Sequence, residues 1–264
     1  MSISLNNITL AYGPRVLLKD VSAELPQASL TAFIGRNGTG KSSLLRAIAG
    51  LAPVAAGEIA LCGTPLATLP PRRLAATVSF VTTDKVRVAN LRCEDMVALG
   101  RAPYTNWIGR MQEGDRAVVH RALETVGIAD LARKTMDTLS DGECQRAMIA
   151  RALAQDTPVI LLDEPTAFLD LPNRYALASL LGRLAHEEKK CVLFSTHDLD
   201  IALGLCDTVL LIDTPALHRL PAADMAASGL IERLFAGDGL TFDAASRQVR
   251  ADKRPAAPSF SERQ

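Results

Sequence analysis

Apolar positions in the first 35 residues fall in short runs separated by turn residues. Ile3, Leu5, Ile8 and Leu10 predict a strand closed by Gly13-Pro14, and residues 21–25 predict a second that ends at Pro26. Residues 30–34 are mostly apolar, the pattern of a strand buried on both faces, and stop at Gly35. From residue 41 to 49 the period lengthens, with Leu44, Leu45 and Ile48 on one helical face and Gly50 as the stop. Strand patterns return at 58–61 and 77–81.

The middle of the chain reads differently. From about residue 85 to 155 strand patterns are scarce, and Val118, Val119, Ala122, Leu123 and Val126 mark a helix ending at Gly127. Alternation then resumes: apolar 158–163, helical 171–188, apolar 191–195, a short helix near 199–205 and apolar 209–212. Strands alternating with helices predict an α/β fold with a mainly parallel sheet, preceded by N-terminal β strands and interrupted by a helical subdomain. One domain is expected over residues 1–250, its core at roughly 1–84 and 156–250 and its helical subdomain at roughly 85–155. Residues 251–264, with two prolines and mixed charge, are expected to form a loose tail.

Composition narrows the classes. Of 264 residues, 48% are hydrophobic and 22% charged, which suits a globular core rather than disorder. Twenty-nine basic residues balance 29 acidic ones, so bulk charge gives no reason to expect nucleic-acid binding. No apolar run approaches the roughly 18–20 residues of a membrane span, and the N-terminus lacks the pattern of a secretion signal. A cytosolic chain is expected. Its five scattered cysteines have no metal-knuckle or redox spacing and read as reduced, mostly buried thiols.

Candidate chemistry begins at Gly35-Arg36-Asn37-Gly38-Thr39-Gly40-Lys41-Ser42, which fits G-x-x-x-x-G-K-[ST] between a predicted strand and a predicted helix. Glycines let backbone N–H groups curl around a phosphate, and the helix start adds its positive dipole end. Gly35, Asn37, Gly38, Thr39, Gly40, Lys41, Ser42 and Ser43 are therefore the expected phosphate-binding residues. Lys41 would reach the β- and γ-phosphates, and the Ser42 hydroxyl would hold Mg²⁺. A second anchor follows the apolar strand 159–162, where Asp163 would bind the metal and Glu164 would orient the attacking water. His197 follows another apolar strand and would sit on the same sheet edge, as a sensor of the γ-phosphate.

These residues resemble those of the ATP-binding subunits of ABC transporters, with a RecA-like phosphate-loop core. Leu139-Ser140-Asp141-Gly142-Glu143 is similar to the family signature Leu-Ser-Gly-Gly-Gln, and Glu143 stands 20 residues before Asp163. The resemblance implies that two subunits sandwich two ATP molecules head to tail, with Ser140 and Gly142 of one subunit reaching the γ-phosphate held by the other. Tyr12, 29 residues before Lys41, falls where the family stacks an aromatic ring on adenine. Ala167-Phe168-Leu169-Asp170 is similar to the D-loop, with Asp170 bridging the subunits. The similarity covers roughly residues 1–215.

Two positions depart from the family pattern. Thr83, the candidate third metal-site residue, stands where the family has a Gln that helps ligate Mg²⁺ and links the site to the membrane subunit. It is too short for the same reach, so either water or Asp84 substitutes or the coupling differs. Asp141 and Glu143 replace Gly and Gln, and a carboxylate near a triphosphate is unfavourable unless it turns to the helix start. Asp141 is expected to face away from nucleotide. Finally, residues 97–104, then Trp107 and Gly109-Arg110, resemble importers of ferric siderophores, haem and cobalamin, which carry Leu-Gly-Arg-x-Pro there. The resemblance implies an ATPase at the cytoplasmic face of a membrane, with permease subunits, a substrate-binding protein and no nucleic acid. An ATPase of a different transporter and a weakly hydrolysing regulatory cassette remain open alternatives.

Overall fold

The computed structural model describes residues 1–84, 86, 88–105, 111–167, 169–235 and 240–251. Strands β1 (Ile3–Tyr12) and β2 (Arg15–Leu25) form a hairpin, and β3 (Ser29–Gly35) runs into helix α1 (Lys41–Ile48). Next come β4 (Ala56–Leu61), β5 (Thr64–Pro65), α2 (Pro71–Ala75) and β6 (Val78–Val81). The helical stretch holds α3 (Cys93–Ala98), α4 (Asp115–Thr125) and α5 (Asp141–Ala154). After it come β7 (Val159–Leu162), α6 (Leu171–His186), β8 (Cys191–Ser195), α7 (Leu199–Gly204) and β9 (Thr208–Asp213). The described chain closes with β10 (Ala216–Pro221), α8 (Ala222–Ala227), α9 (Leu230–Phe235), β11 (Leu240–Asp243) and β12 (Gln248–Ala251).

The large sheet has the order β10-β9-β3-β8-β7-β6, with every neighbour parallel except the β10–β9 pair. The N-terminal sheet, order β2-β1-β4-β5, is antiparallel. Two apolar cores explain why the parallel strands carry near-continuous hydrophobic runs. Leu30, Ala32 and Ile34 of β3, with Ile160 and Leu162 of β7, face the core shared with α3–α7. Phe33, Val159 and Leu161 face the other, where α1 lies between the two sheets with Leu44, Leu45 and Ile48 fully buried. Each parallel strand is thus covered on both faces, as helix crossovers require.

Several expectations need adjustment. β2 begins at Arg15 rather than near residue 21: Leu17 and Leu18 are buried, but they are adjacent and followed by the exposed Lys19 and Asp20, so the stretch lacks the alternation that marks a strand. β10 sits at a half-exposed sheet edge, and α8 and α9 have six residues each, too few to display a helical period. Ala251, the first residue of the expected tail, is the last residue of β12. The rest of the expected tail, together with Trp107, Gly109, Arg110 and Phe168, lies outside the described residues. The cysteines are free thiols and four of the five are buried; burial pushes Cys191 and Cys206 up to about 12 and Cys93 up to about 11, so those three stay unreactive. No helix among the described residues is long and apolar enough to cross a membrane.

Candidate nucleotide-binding site

Parallel pairing brings four strand ends to one edge. Val81 of β6 pairs with Leu162 of β7, Leu162 with Phe194 of β8, and Ser195 with Phe33 of β3. Across about 4.8 Å per strand, the segments that follow stand in a row. They are Thr83, Asp163-Glu164, His197 and the glycine loop, in the sheet-edge position where α/β proteins bind ligands.

The loop between β3 and α1 ends at an uncapped helix start, the arrangement that suits an anion. Gly40, at φ +106, is the residue before α1, and a Cβ there would come within 3.1 Å of Leu17. With no side-chain cap and no acidic residue in its first turn, α1 leaves its N–H groups and positive dipole end uncompensated. Lys41 is buried, and its Nζ donates to the carbonyls of Gly35 (2.9 Å) and Arg36 (3.2 Å). Burial pulls the Lys41 pKa down, against the opposing pull of Glu164 and Asp163. Thr39 Oγ1 braces the loop by donating to Arg36 O at 2.8 Å.

A cleft of about 370 Å³ opens over this loop. Asn37, Gly38, Gly40, Lys41, Ser42, Ser43 and Glu164 line it, with Tyr12, Arg15 and Leu17 as the opposite wall. Tyr12 is 80% exposed, its ring free to take a planar partner. Arg15 was not predicted; nothing but its nearness to the Gly13 turn singles it out in sequence.

Ser195 organises the carboxylates. Its hydroxyl donates to Asp163 Oδ1 (2.7 Å) and accepts from Glu164 N (2.8 Å). Glu164 sits at φ +47, a strained backbone position for a residue with a side chain, and this N–H bond holds it there. Its carboxylate meets His197 Nε2 at 2.8 Å. Thr83 Oγ1 lies 3.5 Å from Asp163 Oδ2, a long contact on the second carboxylate oxygen. Ser195 escaped sequence reasoning because a serine ending an apolar strand carries no motif.

Ser140, Gly142 and Asp170 do not join this cleft. Ser140 caps α5 in a reciprocal pair: Glu143 N donates to its hydroxyl (3.3 Å), and its own N–H donates to Glu143 Oε2 (2.7 Å). That bond pulls the Glu143 pKa down and accounts for a carboxylate at this position. Asp141 opens the same helix, where its charge meets the positive dipole end. Asp170 caps α6, accepting from Asn173 N (3.1 Å), and Arg146 of α5 donates to Asn173 Oδ1.

An edge of this kind defines a phosphate-loop nucleoside triphosphatase domain. Comparison with known proteins agrees: the family model described as ABC transporter matches residues 18–167. The iron(3+)-hydroxamate import ATP-binding protein FhuC of Bacillus subtilis is 34% identical over 201 residues, covering 76% of this chain and 75% of its own. An inward-facing ABC transporter ascribed to the metal-chelate type superposes with a TM-score of 0.79 at 27% identity, over 89% of this chain and 88% of that one. The dimeric cassette MJ0796, bound to ADP and Pi after hydrolysis, superposes at 0.74 with 26% identity, over 83% of this chain and 98% of its own. The chain belongs to the ABC transporter family.

Proposed function

We propose that two copies of this chain clamp two ATP molecules head to tail and power a membrane permease that imports a metal chelate of the iron-siderophore, haem or cobalamin type. The observation that carries this reading is a separation. The glycine loop and Glu164 line one cleft, whereas Ser140 and Gly142 lie outside it. A γ-phosphate held by one chain is therefore completed by the α5 start of another. The dimeric likeness and the metal-chelate relatives support the same assembly.

On ATP binding, Lys41 exchanges the Gly35 and Arg36 carbonyls for the β- and γ-phosphates, with Asn37, Gly38, Thr39, Gly40, Ser42 and Ser43 completing the cradle. Tyr12 stacks on adenine. Glu164 orients the water that attacks the γ-phosphate, and His197, at 2.8 Å, holds the carboxylate and senses the phosphate. Asp170 lies at the seam between subunits. Ser42, Asp163 and Thr83 offer only oxygen donors, the set a hard divalent cation takes. Among the described residues no cluster of three or more His, Cys, Asp or Glu side chains could hold a metal alone, which fits a cation that shares its ligands with phosphate. Magnesium bound there would neutralise phosphate charge.

The permease docks against the helical subdomain and the Thr83 region, a substrate-binding protein delivers the chelate from the other side, and this subunit sits at the cytoplasmic face. Hydrolysis removes the γ-phosphate bridge and the pair opens. The test is Glu164→Gln with saturating ATP and magnesium, followed by light scattering, which should give a stable dimer with little turnover. A solitary chain under those conditions, with and without the permease, would overturn the proposal.

A further inference from the structure

The Leu-Gly-Arg-x-Pro stretch, whose role the reading above leaves unassigned, folds as a 3-10 turn, Leu99–Tyr104, against the far end of α5. We propose that Arg101 is a positioning residue for ATP hydrolysis: it locks the C-terminus of α5 and thereby aims the Ser140–Gly142 end at the partner's triphosphate. The inference rests on the head-to-tail reading.

A helix ends in carbonyls without helical partners, and a cation placed there satisfies both those acceptors and the negative dipole end. Arg101 Nη1 donates to Ala154 O at 2.8 Å, while its Nε meets Asp115 Oδ1 of α4 at 2.8 Å. With the two side chains only 12% and 5% exposed, the pair is shielded from water and fixed in direction. The guanidinium also lies 4.0 Å from the centre of the Tyr104 ring, and Tyr104 Oη donates to the next carbonyl, Gln155 O, at 2.9 Å. Gly100 lets the turn press backbone against backbone, since a Cβ there would stand 2.2 Å from Arg151 O.

This clasp is anchored to the sheet that carries the site. Gln155 Nε2 donates to Ala75 O (2.6 Å) and Val78 O (3.0 Å), at the entry to β6. Arg72 Nε of α2 donates to Pro103 O at 2.9 Å. The clasp thus holds one end of a 14-residue lever whose other end carries the signature. That lever is ~21 Å long, so a tilt of about 3° at the clasp displaces Ser140 by about 1 Å. Misplacement on that scale costs on the order of a hundredfold in rate. Arg101 is not among the residues that line the glycine-loop cleft, and its direct bond to α5 is the link to the signature end.

The experiment compares Arg101→Met, Arg101→Lys and Tyr104→Phe. Single-chain ATP affinity of each should stay within about twofold of the parent, because the cradle is untouched. In Arg101→Met kcat should fall at least about tenfold, and pairing in a Glu164→Gln background should need at least about tenfold more ATP. Arg101→Lys, able to reach one of the two oxygens, should recover part of both. Tyr104→Phe should show a smaller loss of the same kind. Folded Arg101→Met with parental kcat and pairing would overturn the inference, as would an equal loss of kcat and single-chain ATP affinity. Should Arg101→Met fail to fold, parental kcat and pairing in both Arg101→Lys and Tyr104→Phe would overturn it. If Glu164→Gln alone never pairs, the head-to-tail reading itself has failed.

Discussion

Ser195→Ala removes one oxygen and tests the architecture of the site. Ser195 is fully buried and Asp163 is 2% exposed, so the Asp163 carboxylate cannot turn to water for a replacement donor. The methyl group that remains fills the space and leaves no room for a replacement water. Asp163 loses a hydrogen bond to a charged acceptor, worth about 1.5–3 kcal/mol, and Glu164 N–H loses its acceptor at a cost of about 1–3 kcal/mol. Allowing for partial relaxation, the net loss should be about 3 kcal/mol. For a chain of this size that lowers Tm by about 6 °C. The same bond pins Glu164 at φ +47, so part of the loss should appear in catalysis. If half of it misplaces the carboxylate, kcat falls about tenfold. Scanning calorimetry and steady-state ATPase assays, the latter well below the variant's Tm, read the two effects separately. A Tm within 1 °C of the parent, together with an unchanged kcat, would show that Ser195 does not brace the carboxylates, and the account of the site would need rebuilding.

Thr83→Val tests the metal assignment. The 3.5 Å contact to Asp163 is too long to carry much stability, so Tm should move by about 1 °C or less. The magnesium concentration for half-maximal ATPase should rise about fivefold, and an unchanged magnesium titration would remove Thr83 from the metal site. Gly57→Ala should destabilise the N-terminal sheet by about 3 kcal/mol, seen in chemical denaturation. Its φ is +92 and a Cβ would lie 2.4 Å from Asn7 O, so a neutral result would contradict that close approach. Asp115 supplies a pH prediction. Burial pushes its carboxyl up, but the hydrogen bonds from Arg101 and from Gln112 N–H win and hold it below the ordinary value. A depressed folded pKa gives stability that is present above the unfolded value of about 3.9 and is lost as pH falls through the folded one. The Tm gap between the parent and Asp115→Asn should therefore be constant near neutrality and shrink below about pH 4. A gap that widens in acid would reverse the sign.

Legibility in the sequence followed burial. Strands β3, β7, β8 and β9 are covered on both faces, so unbroken apolar runs announced them, and parallel pairing then put their ends on one edge. Gly35 to Ser42 was readable because a phosphate cradle demands glycine and lysine at fixed spacing. What stayed hidden depends on contacts distant in the chain. Ser195 matters because β8 pairs with β7, 31 residues from Glu164, and no local pattern records that pairing. Arg101 and Ala154 meet across 53 residues, so the stretch read as a family mark revealed its mechanical role only when folded. Beyond residue 213 the elements are short or lie at an edge, and neither period had room to repeat.

The two helix starts proposed to share one triphosphate are unequal: α1 has no acidic residue in its first turn, whereas α5 begins with Asp141 and Glu143. Loading and pairing should therefore separate along the nucleotide axis, with each chain filling at low ATP and partnering only well above that level. Turnover would then track the square of the loaded population rather than its amount, and the transporter would idle in a charged but unpaired state until both halves were recruited together.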